Sequence, residues 1–202
     1  MFLAKTPAFV QFLMPRYTWR VPTKEKIIFL TFDDGPIPEL TPWVLDTLEA
    51  HAAKATFFCV GDNVLKHPNI FHRVLNEGHA VGNHTFHHLN GWKTDTGSYL
   101  QNVAQCAELI KSPLFRPPYG RLTIAQKRLL RKDFRIIMWD VLSGDYSSKI
   151  SPEQCLHNVL KNTKPGSIIV LHDNLKAERN LRFVLPRVLA HFGSLGYRFE
   201  GL

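Results

Sequence analysis

The sequence predicts an α/β fold built on a parallel sheet, on three observations. Short apolar runs alternate with stretches of helical periodicity about seven times along the chain. The apolar runs show little polar alternation, as expected of strands buried on both faces. The 202 residues, 45% hydrophobic and 21% charged, suffice for a single globular domain with a substantial core. An open doubly wound sheet and a closed (β/α) barrel both satisfy this pattern. In either, functional groups gather at the carboxyl ends of the strands.

Residues 27–32, IIFLTF, form the first strand, and residues 1–26 are an N-terminal extension of the same domain. A helix over 42–51 follows, with Trp43, Val44, Leu45 and Leu48 at helical spacing. The second strand is 55–60. Asp62 caps a helix carrying Val64, Leu65, Ile70, Phe71, Val74 and Leu75, which stops at Gly78. Residues 79–82 are a short third strand. The polar stretch 90–97 leads into a helix over 98–110. Phe115 begins a short strand closed by Pro117-Pro118, and a helix at 123–132 precedes a strand at 135–141. Ser151-Pro152-Glu153 is a strong helix start, with a serine cap and proline at the first helical position; that helix runs to about Asn162. Pro165-Gly166 turns the chain into a strand at 167–172, a helix covers 181–192, and residues 197–200 supply the seventh strand.

Composition excludes several function classes. No run approaches the roughly 20 apolar residues of a membrane span. The net charge is +8 and the pI about 9.5, which favours polyanions: nucleic acid, anionic lipid or an acidic glycan. Nucleic-acid modules with interleaved aromatics are absent. The densest basic group, Lys127, Arg128, Arg131 and Lys132, reads as a solvated helix face. Cys59, Cys106 and Cys155 are odd in number and far apart, so they imply no disulfide framework, and Cys59 reads as a buried thiol. The N-terminal stretch lacks a long apolar region and a clear cleavage site. It shows no clear cleavable signal and by sequence alone reads as cytoplasmic, with the compartment and a short membrane-surface segment left open. No protein partner is predicted.

The strand ends carry the chemistry. Strand one ends in Asp33-Asp34, strand three leads to NHTFHH (83–88), strand four ends in RPPYG (116–120), strand five in WDVLSGDY (139–146) and strand six in LHD (171–173). Two adjacent carboxylates repel and lose hydration when partly buried. On a helical turn, His84 and His88 share a face and grip one cation; His84 and His87 share one too. Two neutral histidines, a carboxylate and an open water position describe a hydrolytic zinc site, and the same set suits iron, cobalt or nickel. One aspartate then binds the metal while its neighbour takes a proton.

In this order, TFDDG, HTFHH, RPPYG, a DY segment and LHD resemble the motifs of the polysaccharide deacetylases, the NodB-homology enzymes of carbohydrate esterase family 4. The resemblance spans residue 27 to the C-terminus. It implies a distorted (β/α)7 barrel of parallel strands with surrounding helices, and metal-dependent removal of acetyl groups from a GlcNAc-containing glycan such as peptidoglycan or chitin. Activity on O-acetylated xylan, or glycan binding without catalysis, are the alternatives. It also implies roles. Asp34, His84 and His88 bind the metal, usually zinc. Asp33 is the general base, paired with Arg116. His172 is the general acid, oriented by Asp145, which is favoured over Asp140. Tyr119 offers its backbone N–H to the oxyanion. Tyr146 and Trp92 are sugar-facing aromatics, and Val170 and Leu171 line the acetyl pocket. Three departures from the family pattern affect substrate fit: Leu142 and Tyr146 stand where Asp and Trp are usual, and Val170 where Leu is.

Overall fold

A computed structural model describes residues 3–202; Met1 and Phe2, which open the apolar N-terminal stretch, lie outside the described residues. The elements are α1 (Ala8–Leu13), β1 (Ile27–Asp33), α2 (Thr41–Ala50), β2 (Thr56–Cys59), α3 (Gly61–Lys66), α4 (Pro68–Asn76), β3 (Ala80–Asn83), α5 (Thr96–Leu109), β4 (Leu114–Phe115), α6 (Ile124–Leu130), β5 (Arg135–Ile136), β6 (Val141–Leu142), α7 (Pro152–Asn162), β7 (Ile168–His172), α8 (Glu178–Ser194) and β8 (Arg198–Phe199). A 3₁₀ turn covers Pro118–Gly120.

The sheet runs β5-β4-β3-β2-β1-β7-β6, and every pairing in it is parallel. β8 joins Ile27 and Ile28 at the start of β1, on the edge that β2 takes over from Thr31 onward. The result is a curled parallel half-barrel with helices outside, the distorted barrel expected. Its two edge strands, β5 and β6, do not pair with each other among the described residues. The N-terminal segment runs along the seam instead. It descends antiparallel to β6, where Lys5 bridges Val141, and turns through α1. It then returns parallel to β5, where Thr18 bridges Ile137.

Alternation along β1 grades the interior from apolar to polar. Ile28, Leu30 and Phe32 point outward into the core shared with the helices, among them Leu45, Val184, Leu185 and Leu189. Ile27 and Phe29 point inward with Phe58, Leu114, Ile137 and Ile168. Two and four residues further on, the same inward face carries Thr31 and Asp33. The bottom of the half-barrel is therefore dry, and its top holds the polar groups.

Side-chain caps account for three of the helix starts. Thr123 and Gln126 form a reciprocal capping box on α6. Ser151 caps α7 ahead of Pro152, as predicted. Asp95 caps α5, which starts two residues earlier than expected. Four expectations are corrected. The helix read from Asp62 onward is two, because Pro68 cannot continue α3 and instead starts α4, and Val60 rather than Asp62 holds the cap position. The single strand at 135–141 is two, because Met138 N–H bonds Thr18 rather than a sheet neighbour. The last helix starts three residues earlier than expected, at Glu178, and passes through Pro186. The N-terminal extension holds a helix, α1, that was not predicted.

Candidate active site

Asp33 ends β1 on its inward face, and Arg116 reaches it from just beyond β4. The Arg116 guanidinium is fully buried, and its Nε donates to the Ile137 carbonyl at 3.4 Å. Nη1 donates to Asp33 Oδ1 at 2.6 Å and to Thr31 Oγ1 at 2.7 Å, and Nη2 donates to the Met138 carbonyl at 3.0 Å. The Phe58 ring lies 4.1 Å beneath it. Burial lowers the arginine's pKa, and the Asp33 charge works against that loss. Removing one partner of so dry a pair leaves the other uncompensated.

Asp34 turns the other way, into a left-handed conformation with φ 84°. Asn63 Nδ2 donates to its carbonyl at 2.7 Å, and Asn174 Nδ2 donates to its Oδ2. Its Oδ1 is buried and left to two imidazoles, with His88 Nε2 at 3.0 Å and His84 Nε2 at 3.5 Å. Burial would raise the Asp34 pKa; the two imidazoles and the charge on His172 hold it well below the usual carboxylate range. The His84 Nδ1–H donates to the Arg116 carbonyl at 2.7 Å, which turns the Nε2 lone pair toward Asp34. The ligand atoms of Asp34, His84 and His88 lie within 4.8 Å of one another. An orphaned carboxylate oxygen, two inward nitrogens and a fixed tautomer fit a divalent cation.

The two histidines do not lie on a helix, contrary to the spacing argument. Residues 84–88 are a loop, with Thr85 at φ 62° and His88 at φ 54°, and it is this loop that brings the rings to 5.1 Å. Asn102 of α5 holds it: Oδ1 accepts from Phe86 N–H at 2.9 Å and His87 N–H at 3.0 Å. His87 itself is exposed and bonds Asn102 Nδ2.

His172 ends β7 directly opposite Asp33 in the sheet register. Its Nδ1 donates to Asp145 Oδ1 at 2.8 Å, and its backbone N–H donates to Asp145 Oδ2 at 2.7 Å. Asp145 therefore meets His172 through both oxygens. Asp140 faces elsewhere, bonded to Lys5, Ser167 and Ile168 N–H. Burial works against a charged His172, but Asp145, with Asp34 and Asp33 behind it, outweighs burial and lifts the imidazole to about 9. Asp173 is buried under the β1 turn, bonded to Gly35 N–H and the Thr41 hydroxyl. Burial pushes it up to about 7; Thr41 opposes and the Asp34 charge assists.

Around this centre, the Tyr119 ring packs edge-on against His88 at 4.8 Å and Tyr146 against His172 at 5.0 Å. Tyr119 is 60% exposed and Trp92 64%. The Trp92 indole N–H donates to the Leu122 carbonyl, and Arg121 covers its ring at 4.9 Å. Val170 lies on the His172 face of β7, one pleat deeper. Leu171 does not line the cleft: strand alternation turns it outward into the helix-side core, where it is fully buried. Sequence reasoning also missed Asn174, Asn63 and Asn102. Asn174 directly follows the LHD motif, and that adjacency was the available signal; the other two sit in helices where asparagine carries no local signature.

The sequence pattern described as polysaccharide deacetylase matches residues 20–133. A peptidoglycan-N-acetylglucosamine deacetylase of Bacillus cereus is 36% identical over 190 residues, covering 90% of this chain and 89% of that protein. Another of the same name and organism is 40% identical over 163 residues, 77% of this chain; the chain spans 59% of its length. The crystal structure of the Bc1960 peptidoglycan N-acetylglucosamine deacetylase superposes with a TM-score of 0.88 at 33% identity, covering 98% of this chain and 95% of that one.

Proposed function

This chain belongs to the polysaccharide deacetylase family, and from that premise we propose that it hydrolyses the N-acetyl group of a GlcNAc-containing glycan, peptidoglycan first among them. The observation that carries the reading is the meeting, at the carboxyl ends of the strands, of Asp33 with its buried arginine, His172 with its buried carboxylate, and the Asp34–His84–His88 cluster.

Asp34, His84 and His88 hold the cation, which we take to be zinc. Bound there, it supplies the Lewis acidity that makes water a nucleophile near neutral pH and offsets charge on the substrate oxygen. Everything else falls to the chain. Asp33 takes the proton of the attacking water; Arg116 keeps that carboxylate ionised and fixed. The Tyr119 N–H faces the developing oxyanion, a donor whose loss typically costs about 3 kcal/mol. His172 gives its Nε2 proton to the departing nitrogen, and Asp145 holds the imidazole charged and oriented until then. Asn174 donates to Asp34 Oδ2, which leaves Oδ1 as the oxygen that would face a cation. Trp92, with its indole tethered and its ring exposed, and Tyr146 flank the sugar chain.

The test is acetate release from peptidoglycan fragments, chitooligomers and acetylxylan, with metal added back after chelation. Release from the N-acetyl substrates that depends on added metal is expected; release from acetylxylan alone overturns the assignment. Asp33→Asn is expected to keep its metal and lose at least about 100-fold in rate. Undiminished turnover in metal-loaded Asp33→Asn removes Asp33 as the base.

A further inference from the structure

At the starting end of the strands, opposite the catalytic residues, the N-terminal turn presents a surface that the hydrolytic reading does not use. No residue of α1 is buried. Phe9 is 65% exposed, Phe12 83% and Leu13 70%, and Leu3 and Met14 are exposed beside them. Single exposed apolar residues need no explanation, but several in one short turn do.

A groove of about 500 Å³ begins two residues later. Arg16, Arg131, Lys132 and Arg135 line it, with Thr18, Phe134 and Ile136. All four cations are exposed, and among the described residues no carboxylate pairs with any of them. Asp133 is the acidic side chain in the same turn. Lys127 extends the basic strip, with its ammonium 4.5 Å over the Tyr17 ring. Leu13 and Arg16 are three residues apart, so even a fully extended chain keeps their Cα atoms within about 11 Å. The turn is also fixed: Trp19 Nε1 donates to the Met14 carbonyl, Thr18 N–H donates to the Ile136 carbonyl, and the Thr18 carbonyl accepts from Met138 N–H.

We propose that this end of the molecule docks on an anionic lipid surface, with Phe9, Phe12 and Leu13 entering the headgroup–acyl boundary and the arginine groove facing the phosphates. The pairing of apolar tip and basic flank selects this occupant. A soluble polyanion would use the cations but leave the aromatic and aliphatic tip in water. A second copy would bring like charge against like charge across a two-fold interface. Docked this way, the finishing ends of the strands, where Asp33, Arg116 and His172 lie, face away from the lipid and stay open to a glycan.

The experiment is co-flotation of the full chain with vesicles of phosphatidylcholine alone or mixed with phosphatidylglycerol, at low and high salt. Partition onto the mixed vesicles, weak on phosphatidylcholine and reduced by salt, is expected. Phe12→Ser with Leu13→Ser should weaken it by at least about tenfold. Arg16→Gln and Arg135→Gln should each cost roughly fivefold. Unchanged acetate release and circular dichroism show that the variants fold. Equal partition onto both vesicles, no partition, or undiminished partition by the Phe12 and Leu13 double variant overturns the proposal. So does binding to polyphosphate without binding to vesicles. A dimer in light scattering that Phe12→Ser dissociates assigns the surface to a second copy instead, and also overturns it.

Discussion

His172 is where the electrostatics make the sharpest demand. Its imidazole is raised to about 9, with burial opposing and Asp145 prevailing. The consequence for folding has a definite sign. The charged pair contributes stability that is whole below the pKa of an unfolded histidine, about 6.5, and is lost as pH rises through about 9. Rate should follow the same proton: kcat/KM on a chitooligomer should fall on the alkaline side with an apparent pKa near 9. Asp145→Asn should move that limb to lower pH. A limb that stays in place in the variant removes Asp145 as the group responsible. Asn174 makes a second demand. If it fixes which Asp34 oxygen meets the cation, Asn174→Ala should weaken zinc by about 10- to 100-fold in competition with a chromophoric chelator. An unchanged zinc affinity would reduce its bond to ordinary surface chemistry. Most of these side chains were legible in the sequence, because the motifs fall where apolar runs end. Asn174, Asn63 and Asn102 were not, because what each does depends on a partner more than ten residues away.

One scale up, the loop between β3 and α5 shows what spacing arguments lose. An i,i+4 histidine pair suggests a helix, yet residues 84–88 are held by positive φ at Thr85 and His88 and by the Asn102 amide. The ligand pair was predictable and its scaffold was not, since a side chain from the next helix replaces the helical ladder. Asn102→Ala would leave the N–H groups of Phe86 and His87 without their acceptor. We expect a loss of about 2 kcal/mol in urea unfolding, with the slope unchanged. Zinc affinity should fall as well, because His88 stands one and two residues from the freed amides. A variant with wild-type stability would mean that water replaces Asn102 at no cost. The same competition explains the split strand at 135–141: Thr18 takes bonds that a continuous strand would have used. Proline at 68 was the readable part of the other break, and the cap at Val60, which has no polar side chain, was unreadable.

For the whole molecule, the half-barrel leaves a seam, and the Asp34–His84–His88 cluster joins the ends of two of its strands. The parallel sheet was legible because each strand announces itself in a run of apolar residues. The seam was not, because Lys5 and Thr18 meet partners more than a hundred residues away. The cluster sits at the other end of the same architecture. Asp34 follows β1, and His84 and His88 follow β3, so a cation held by all three binds the folded chain and finds no such geometry in the unfolded one. Mass action then requires stabilisation. Free zinc at a hundred times its Kd should contribute about 2.7 kcal/mol. In a chain of this length that corresponds to a rise of about 5–10 °C in Tm. His84→Ala should melt at the same temperature with or without zinc, while Asp33→Asn, whose side chain lies outside the Asp34–His84–His88 cluster, should keep the full rise. If His84→Ala kept the rise too, zinc would be acting elsewhere on the protein. Loss of the rise in Asp33→Asn would place Asp33 among the ligands.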